Sequence, residues 1–336
     1  MLCVPKTSGA SAAANEDVSW LWNGPFGYGT FYVAAKPTTA ALLQKAAADL
    51  GVDFTGVAAS PADPAAAIRP VRIGLWDRYG GSVESGWIRW LLERYEFPCD
   101  VVYPQTLDAG DLHARYDVLI FPTDAIPSRD AGAPAVPPDL PAEYAGRTGV
   151  VTVGRTIPQL RAFVEQGGRL LAIGSSTSVA QHFGLPVTSA LLTKAADGST
   201  QQIPRSRFYV PGSILRVAVD NASPLAFGLG RDADVFFDDS PAFVLDANAA
   251  AAGVTRVAWY DSDAPLRSGW AWGQSLLKGS AAIVDAPLGK GRVILYGPEI
   301  TFRAQPHGTF KFLFNGIDYG SSALPSSQAL APSHSN

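Results

Sequence analysis

The spacing of apolar and polar positions changes character along the chain, and each change predicts different elements. The stretch TAALLQKAAADL follows a Lys-Pro-Thr-Thr start and stops at Gly51, which predicts a helix over 39–50 with threonine capping its first free amides. From residue 71, continuous apolar blocks alternate with helical stretches. The blocks predict strands over 71–76, 100–104, 116–122 and 169–174, with helices over 83–95, around 107–114, over 157–166 and from about 176 to 183. Such alternation implies parallel strands joined by crossover helices. Because the blocks are solidly apolar, helices should cover both faces of the sheet. The expected fold class is therefore α/β, a doubly wound, mostly parallel sheet.

Past Gly184 the pattern becomes strand-rich, with runs over 208–220, 234–238, 257–261, 281–287 and 292–297. Leu288-Gly289-Lys290-Gly291 reads as a hairpin turn between the last two runs, glycine supplying positive φ. A helix over 309–317 would then bury Phe310, Leu313, Phe314 and Ile317 on one face. The organisation expected is a disordered start (1–17), an aromatic junction segment with a helix and an Ala/Pro/Asp-rich linker (18–70), an α/β domain (71–320) with a β-rich insertion at about 185–290, and a flexible tail (321–336). The glycine- and aromatic-rich opening, 18–32, lacks helical periodicity and needs a surface to cover: another domain, or a second copy of the chain.

Composition narrows the functional classes. Only 17% of the 336 residues are charged and 47% are hydrophobic, enough for a sizeable core. No apolar run approaches the roughly 18 residues of a membrane span, so no membrane role is expected. The 26 basic residues are scattered among 30 acidic ones, giving a net charge of −4 without the basic stripe that nucleic acid requires. Two cysteines, Cys3 and Cys99, make neither a disulfide framework nor a thiolate zinc site. The histidines, at 113, 182, 307 and 334, lack the i, i+3 or i, i+4 spacing of a helical metal site, so neither metal nor cofactor is expected. The N-terminal stretch has no apolar core of roughly 7–15 residues and does not read as a secretory leader.

In an open parallel sheet, ligands bind beyond the carboxyl ends of the strands. That rule gathers Asp77, Arg78, Glu84 and Trp87 after the first strand, Thr123 and Asp124 after the third, and Ser175 and Ser176 after the fourth. The ordinary reading is loop salt bridges and helix capping; the sharper one is a ligand rim. Arg303 and His307, between the last strand and the last helix, either anchor their loop or join that rim. A hydrolase using Ser175 or Ser176 with His307 as base and Glu299 or Asp77 as orienting acid is an alternative, although the Gly-x-Ser-x-Gly elbow is incomplete. Trp87, Trp90, Trp270 and Trp272 are expected in the core, with a carbohydrate-stacking surface as the alternative.

The segments GLWDRYGGSVESGWIRWLLERYEFP, Phe237-Asp238-Asp239-Ser240-Pro241, SGWAWG and GPEITFRAQPHGTFKFLFNGI carry a family resemblance. The chain resembles the C-terminal region of large bacterial zinc-carboxypeptidase-like proteins, which looks like a class I glutamine-amidotransferase-type domain. The resemblance implies an accessory that packs on a peptidase domain or binds a peptide or glycan ligand, with the alternative of a part of a metallocarboxypeptidase whose catalytic half is on another chain. It also implies a periplasmic or secreted setting. Yet no His-x-x-Glu pair for zinc occurs in the sequence. The cysteine that an amidotransferase carries at a strand-to-helix elbow is replaced by Ile173-Gly174-Ser175. The expectation is a pseudoenzyme with its binding residues at Asp77, Arg78, Glu84, Trp87, Arg303 and His307.

Overall fold

The computed structural model describes residues 16–22, 27–61, 65–130, 132 and 136–321. All but the first residue of the expected tail, and all but the last two residues of the expected disordered start, lie outside them. Strands β1 (Val18–Leu21), β2 (Thr30–Val33) and β3 (Ala65–Ala67) form a small antiparallel sheet beside helix α1 (Thr39–Leu50). The expected linker is thus part strand: β3 pairs with β1, and Ile68 N donates to Val18 O at 2.8 Å. Alanine is a weak strand former, so its composition hid this strand. Gly51 ends α1 in the left-handed region, as expected, but Thr38 makes no side-chain cap; the Thr39 hydroxyl instead donates to buried Glu16 at 2.7 Å.

The main sheet holds the predicted parallel strands β4 (Ile73–Trp76), β5 (Cys99–Val102), β6 (Val118–Phe121) and β7 (Arg169–Ile173). Short strands β8 (Val187–Ser189), β9 (Leu192–Lys194) and β10 (Thr200–Gln202) follow. The β-rich part comprises β11 (Ser213–Val219), β12 (Asp232–Phe237), β13 (Phe243–Leu245), β14 (Thr255–Trp259), β15 (Leu266–Ser268), β16 (Ala281–Leu288) and β17 (Gly291–Tyr296). The strand order is β12-β11-β14-β16-β17-β7-β6-β4-β5. Strands β17, β7, β6, β4 and β5 pair in parallel; β16, β14, β11 and β12 extend the sheet antiparallel. The fold is α/β, as the pattern predicted, and its β-rich half continues the same sheet. Gly289 makes the β16–β17 turn with φ 60° against the Glu165 backbone, where a Cβ has no room.

Helices cover both faces. Helix α2 (Val83–Arg94) buries Ile88, Leu91 and Leu92 in one core, together with Phe312, Leu313 and Phe314 from near the chain's end. On the other face the expected helix near 107–114 is two short ones, α3 (Pro104–Asp108) and α4 (Leu112–Arg115), which pack with α5 (Thr156–Glu165). A 3-10 turn over Gly174–Ser178 leads into α6 (Val179–His182), and α7 (Phe310–Ser321) closes the fold. Asn315 on α7 donates to Leu225 O at 3.1 Å and Phe227 O at 3.0 Å, fixing the backbone at Phe227, whose ring is buried. Trp20 and Trp22 pack edge-on against that ring, so the aromatic opening covers its own chain.

Candidate functional site

Strands β4 and β6 are neighbours, and the connections leaving them run to opposite sides, β4 to β5 and β6 to β7, so a crevice opens at their carboxyl ends. Asp77 begins the loop after β4 and holds it: its carboxylate accepts from Arg78 N at 2.8 Å and Ser82 N at 2.7 Å. Ser82 in turn caps α2 by accepting from Ser85 N at 3.3 Å, and its hydroxyl donates to Glu84 at 3.1 Å. Asp77 is therefore a loop-building residue. Arg78 is exposed and donates to Gly81 O at 3.3 Å.

Both elbow serines fasten the loop after β6 to the loop after β7. The buried Ser176 hydroxyl accepts from Ala125 N and Ile126 N at 3.1 and 2.9 Å and donates to Pro122 O. Ser175 Oγ accepts from Asp124 N at 2.8 Å and donates to the Asp124 carboxylate at 3.0 Å. Among the described residues no hydrogen bond joins either serine to His307, whose exposed ring packs 5.0 Å from Phe310. The proposed serine, histidine and acid do not form a relay in this structure.

The residues that do meet are Thr123, Gly174 and Glu299. Gly174 turns the chain out of β7 with φ 57°, a conformation glycine adopts without strain, and a Cβ there would overlap Thr123 Oγ1 and Glu299 Oε1. Thr123 donates its hydroxyl to the Glu299 carboxylate across 176 residues of sequence. Glu299 is fixed by its own amide, which donates to Phe236 O at 3.0 Å. Burial pushes its carboxyl up to about 7; the Thr123 hydroxyl pulls the other way, and the negative Glu84, Asp238 and Asp124 add to the rise.

Beside this carboxyl is a cleft of about 90 Å³ lined by Val83, Glu84, Trp87, Glu299, Phe302 and Arg303 among others. Its outer wall is held by Phe302 stacked on Phe236 at 4.0 Å, with the Arg303 guanidinium 5.1 Å from the Phe302 ring. Arg303 and Ala304 have φ of 47° and 52°, and Asp124 has φ of 65°: three non-glycine residues in the left-handed region on one rim. Such backbone strain tends to gather where surrounding structure holds a binding site in place. The predicted Glu84, Trp87 and Arg303 thus share one cleft with Glu299, while His307 and Arg78 do not line it.

Two sequence expectations need correction here. Trp87 and Trp90 are 37% and 49% exposed, and Trp270 and Trp272 are 53% and 55% exposed, so none of the four is a core residue. The strand-end rule placed Thr123 on the rim, two residues past the end of β6, without tying it to Glu299, and nothing local marked Asp238 as a neighbour of that carboxyl. Among the described residues no three His, Cys, Asp or Glu side chains are arranged to hold a metal ion.

No family model and no curated protein matches the chain. Solved structures resemble it in fold. A ThuA-like protein from Bacteroides uniformis has TM-score 0.42 and 11% identity, covering 79% of this chain and 95% of its own. PurLQS from Thermotoga maritima has TM-score 0.42 and 15% identity, covering 74% and 99%. A β-galactosidase from Bacillus circulans has TM-score 0.40 and 10% identity over 76% of this chain; the chain spans about a third of that enzyme's length, 32%. These likenesses are distant and carry nothing about family or activity.

Proposed function

We propose that the chain is a non-catalytic binding module whose ligand seat is the carboxyl edge of the parallel sheet, at the cleft of Glu84, Trp87, Glu299 and Arg303. The observation that carries this reading is at Gly174. An amidotransferase-type domain puts its nucleophile at the strand-to-helix elbow, and here that elbow is a glycine whose missing side chain leaves room for the Thr123–Glu299 pair. A hydrogen-bonded acid fills the space an attacking group would need.

The ligand that suits this rim offers donors, as a peptide amine or sugar hydroxyls do. Four carboxyls (Glu84, Asp124, Asp238 and Glu299) meet there electrostatically, and Arg303 supplies the cleft's one guanidinium. Isothermal titration with peptides and oligosaccharides tests the seat. The expected result is weakening by E84Q and by R303A, with no turnover of ester or amide substrates by the wild type. Binding untouched by both substitutions moves the seat elsewhere, and steady turnover that survives repurification overturns the non-catalytic reading. The tie to a zinc-carboxypeptidase partner rests on the sequence resemblance; copurification of a zinc-bearing peptidase with this chain is its test.

A further inference from the structure

Away from that cleft, on the β-rich part of the sheet, two tryptophans stand half in solvent. We infer that Tyr209, Trp270 and Trp272, together with the Arg205–Asp239 ion pair, form a stacking platform for a neutral oligosaccharide. The inference extends the binding reading to a second surface and does not require the rim to be occupied.

The rings form one patch on a fixed backbone. Tyr209 and Trp272 are bridge partners that exchange both backbone hydrogen bonds, at 3.0 and 2.9 Å, which puts their side chains on the same side. The Trp270 ring lies edge-on to Tyr209 at 5.8 Å. Ser213 Oγ grips Trp270 at both ends, accepting from its amide at 2.9 Å and donating to its carbonyl at 2.6 Å. Gly269 and Gly273 flank the pair with φ of 97° and 73°, and a Cβ at Gly273 would overlap the Arg207 carbonyl. A segment bound this tightly loses little freedom when a ligand arrives.

The chemistry of the patch selects the ligand. Trp272 Nε1 already donates to Ser206 O at 2.9 Å, so its indole offers a carbon face and edge, not a hydrogen-bond donor. The negative face of an aromatic ring attracts the polarised C–H groups that line one side of a sugar ring. Beside the rings, Arg205 pairs with Asp239 at 2.8 Å and sits 4.7 Å from the Tyr209 centroid. That exposed pair presents donors and acceptors for hydroxyls with no net charge, which favours a neutral ligand over an ionic one. Two half-exposed indoles amount to roughly 250–300 Å². That area suits one or two sugar rings and falls well short of the roughly 800 Å² per partner of a stable protein interface.

The test uses the full chain and four probes: cellohexaose, xylohexaose, maltohexaose and chitohexaose, followed by titration calorimetry and saturation-transfer NMR. At least one should bind. W270A and W272A should each weaken it at least tenfold, and W272F, which keeps a ring, should recover part of the loss. Because both tryptophans are half exposed, a melting temperature within a few degrees of wild type separates this effect from misfolding. Silence from all four sugars up to about 10 mM, well above the millimolar affinities of weak sites, overturns the inference. Sugar binding that is lost in R303A and kept in W270A also overturns it while sparing the rim. Self-association removed by W270A, without sugar binding, assigns the patch to a second copy of the chain and ends the saccharide reading.

Discussion

The two ends of the parallel strands treat buried charge in opposite ways. At the amino end, Arg292 clasps Asp285 with both forks, at 2.7 and 2.8 Å, and the Tyr319 hydroxyl lies 3.3 Å from the same carboxylate. Arg169 and Arg292 flank the Tyr319 ring at 5.2 and 5.5 Å. Burial works against the charge on Arg292, yet Asp285 outweighs it and raises the arginine; Arg169 is pulled down to about 10, chiefly by burial, which the more weakly acting Asp285 and Asp117 do not offset. At the carboxyl end, Glu299 has a threonine hydroxyl for a partner and like charges for neighbours. The Arg292–Asp285 pair is matched and hydrogen-bonded, as a buried ion pair at a structural end must be. The unmatched acid beside a cleft and strained backbone is the observation behind the proposed ligand end.

Removing one member of the knot is expected to have the largest effect. D285N leaves Arg292 buried without its carboxylate and should cost about 3–5 kcal/mol, read from urea unfolding. Filling the elbow comes next: G174S forces a side chain into a left-handed position and against Thr123 and Glu299, an expected loss of about 2–4 kcal/mol. The variant should gain no esterase activity, and a Gly174 variant of wild-type stability would show the elbow to be roomier than described.

Glu299 predicts a pH dependence with a definite sign. Its folded pKa, about 7, lies above the ordinary 4.5, so the native state holds a proton that the unfolded chain has released. Stability should therefore fall as pH rises from about 4.5 to 7 and stay low above it. E299Q should remove the Glu299 part of that slope, leaving the part due to Asp318, whose carboxyl burial also pushes up to about 7, and should be more stable than wild type at pH 8 by about 1–3 kcal/mol. Smaller still, S82A removes the α2 cap and should cost about 1 kcal/mol. By contrast, W270A should cost only about 0.5–1 kcal/mol, mostly its edge-on contact with Tyr209, because the ring is half exposed.

How much of this was legible in the sequence follows from what each feature depends on. The parallel strands were readable because burial on two faces demands unbroken apolar blocks, and Val118 to Phe121 is such a block. The hairpin at Gly289 was readable because a short turn needs positive φ. The Ala65–Ala67 strand was not, since its pairing to β1 depends on a distant partner and not on its own propensity. For the site, the strand-end rule found Glu84 and Trp87, the loop before the last helix offered Arg303, and the same rule found Ser175 and Ser176 while leaving their role open. Both serines turned out to splice two loops. The Thr123–Glu299 contact spans 176 positions, a juxtaposition made by strand order alone. Exposure of the tryptophans was equally hidden, because residue type argues for burial and only tertiary packing shows which rings the core leaves outside.

The contrast between the two ends is tested most directly at the Glu299 carboxyl. Carbon-detected NMR of side-chain carboxyls, with E299Q assigning the resonance, should give Glu299 a midpoint near 7 that moves down when Glu84, Asp124 or Asp238 is neutralised. A midpoint near the ordinary 4.5, unmoved by those substitutions, would contradict the account of a carboxyl end held electrostatically out of balance.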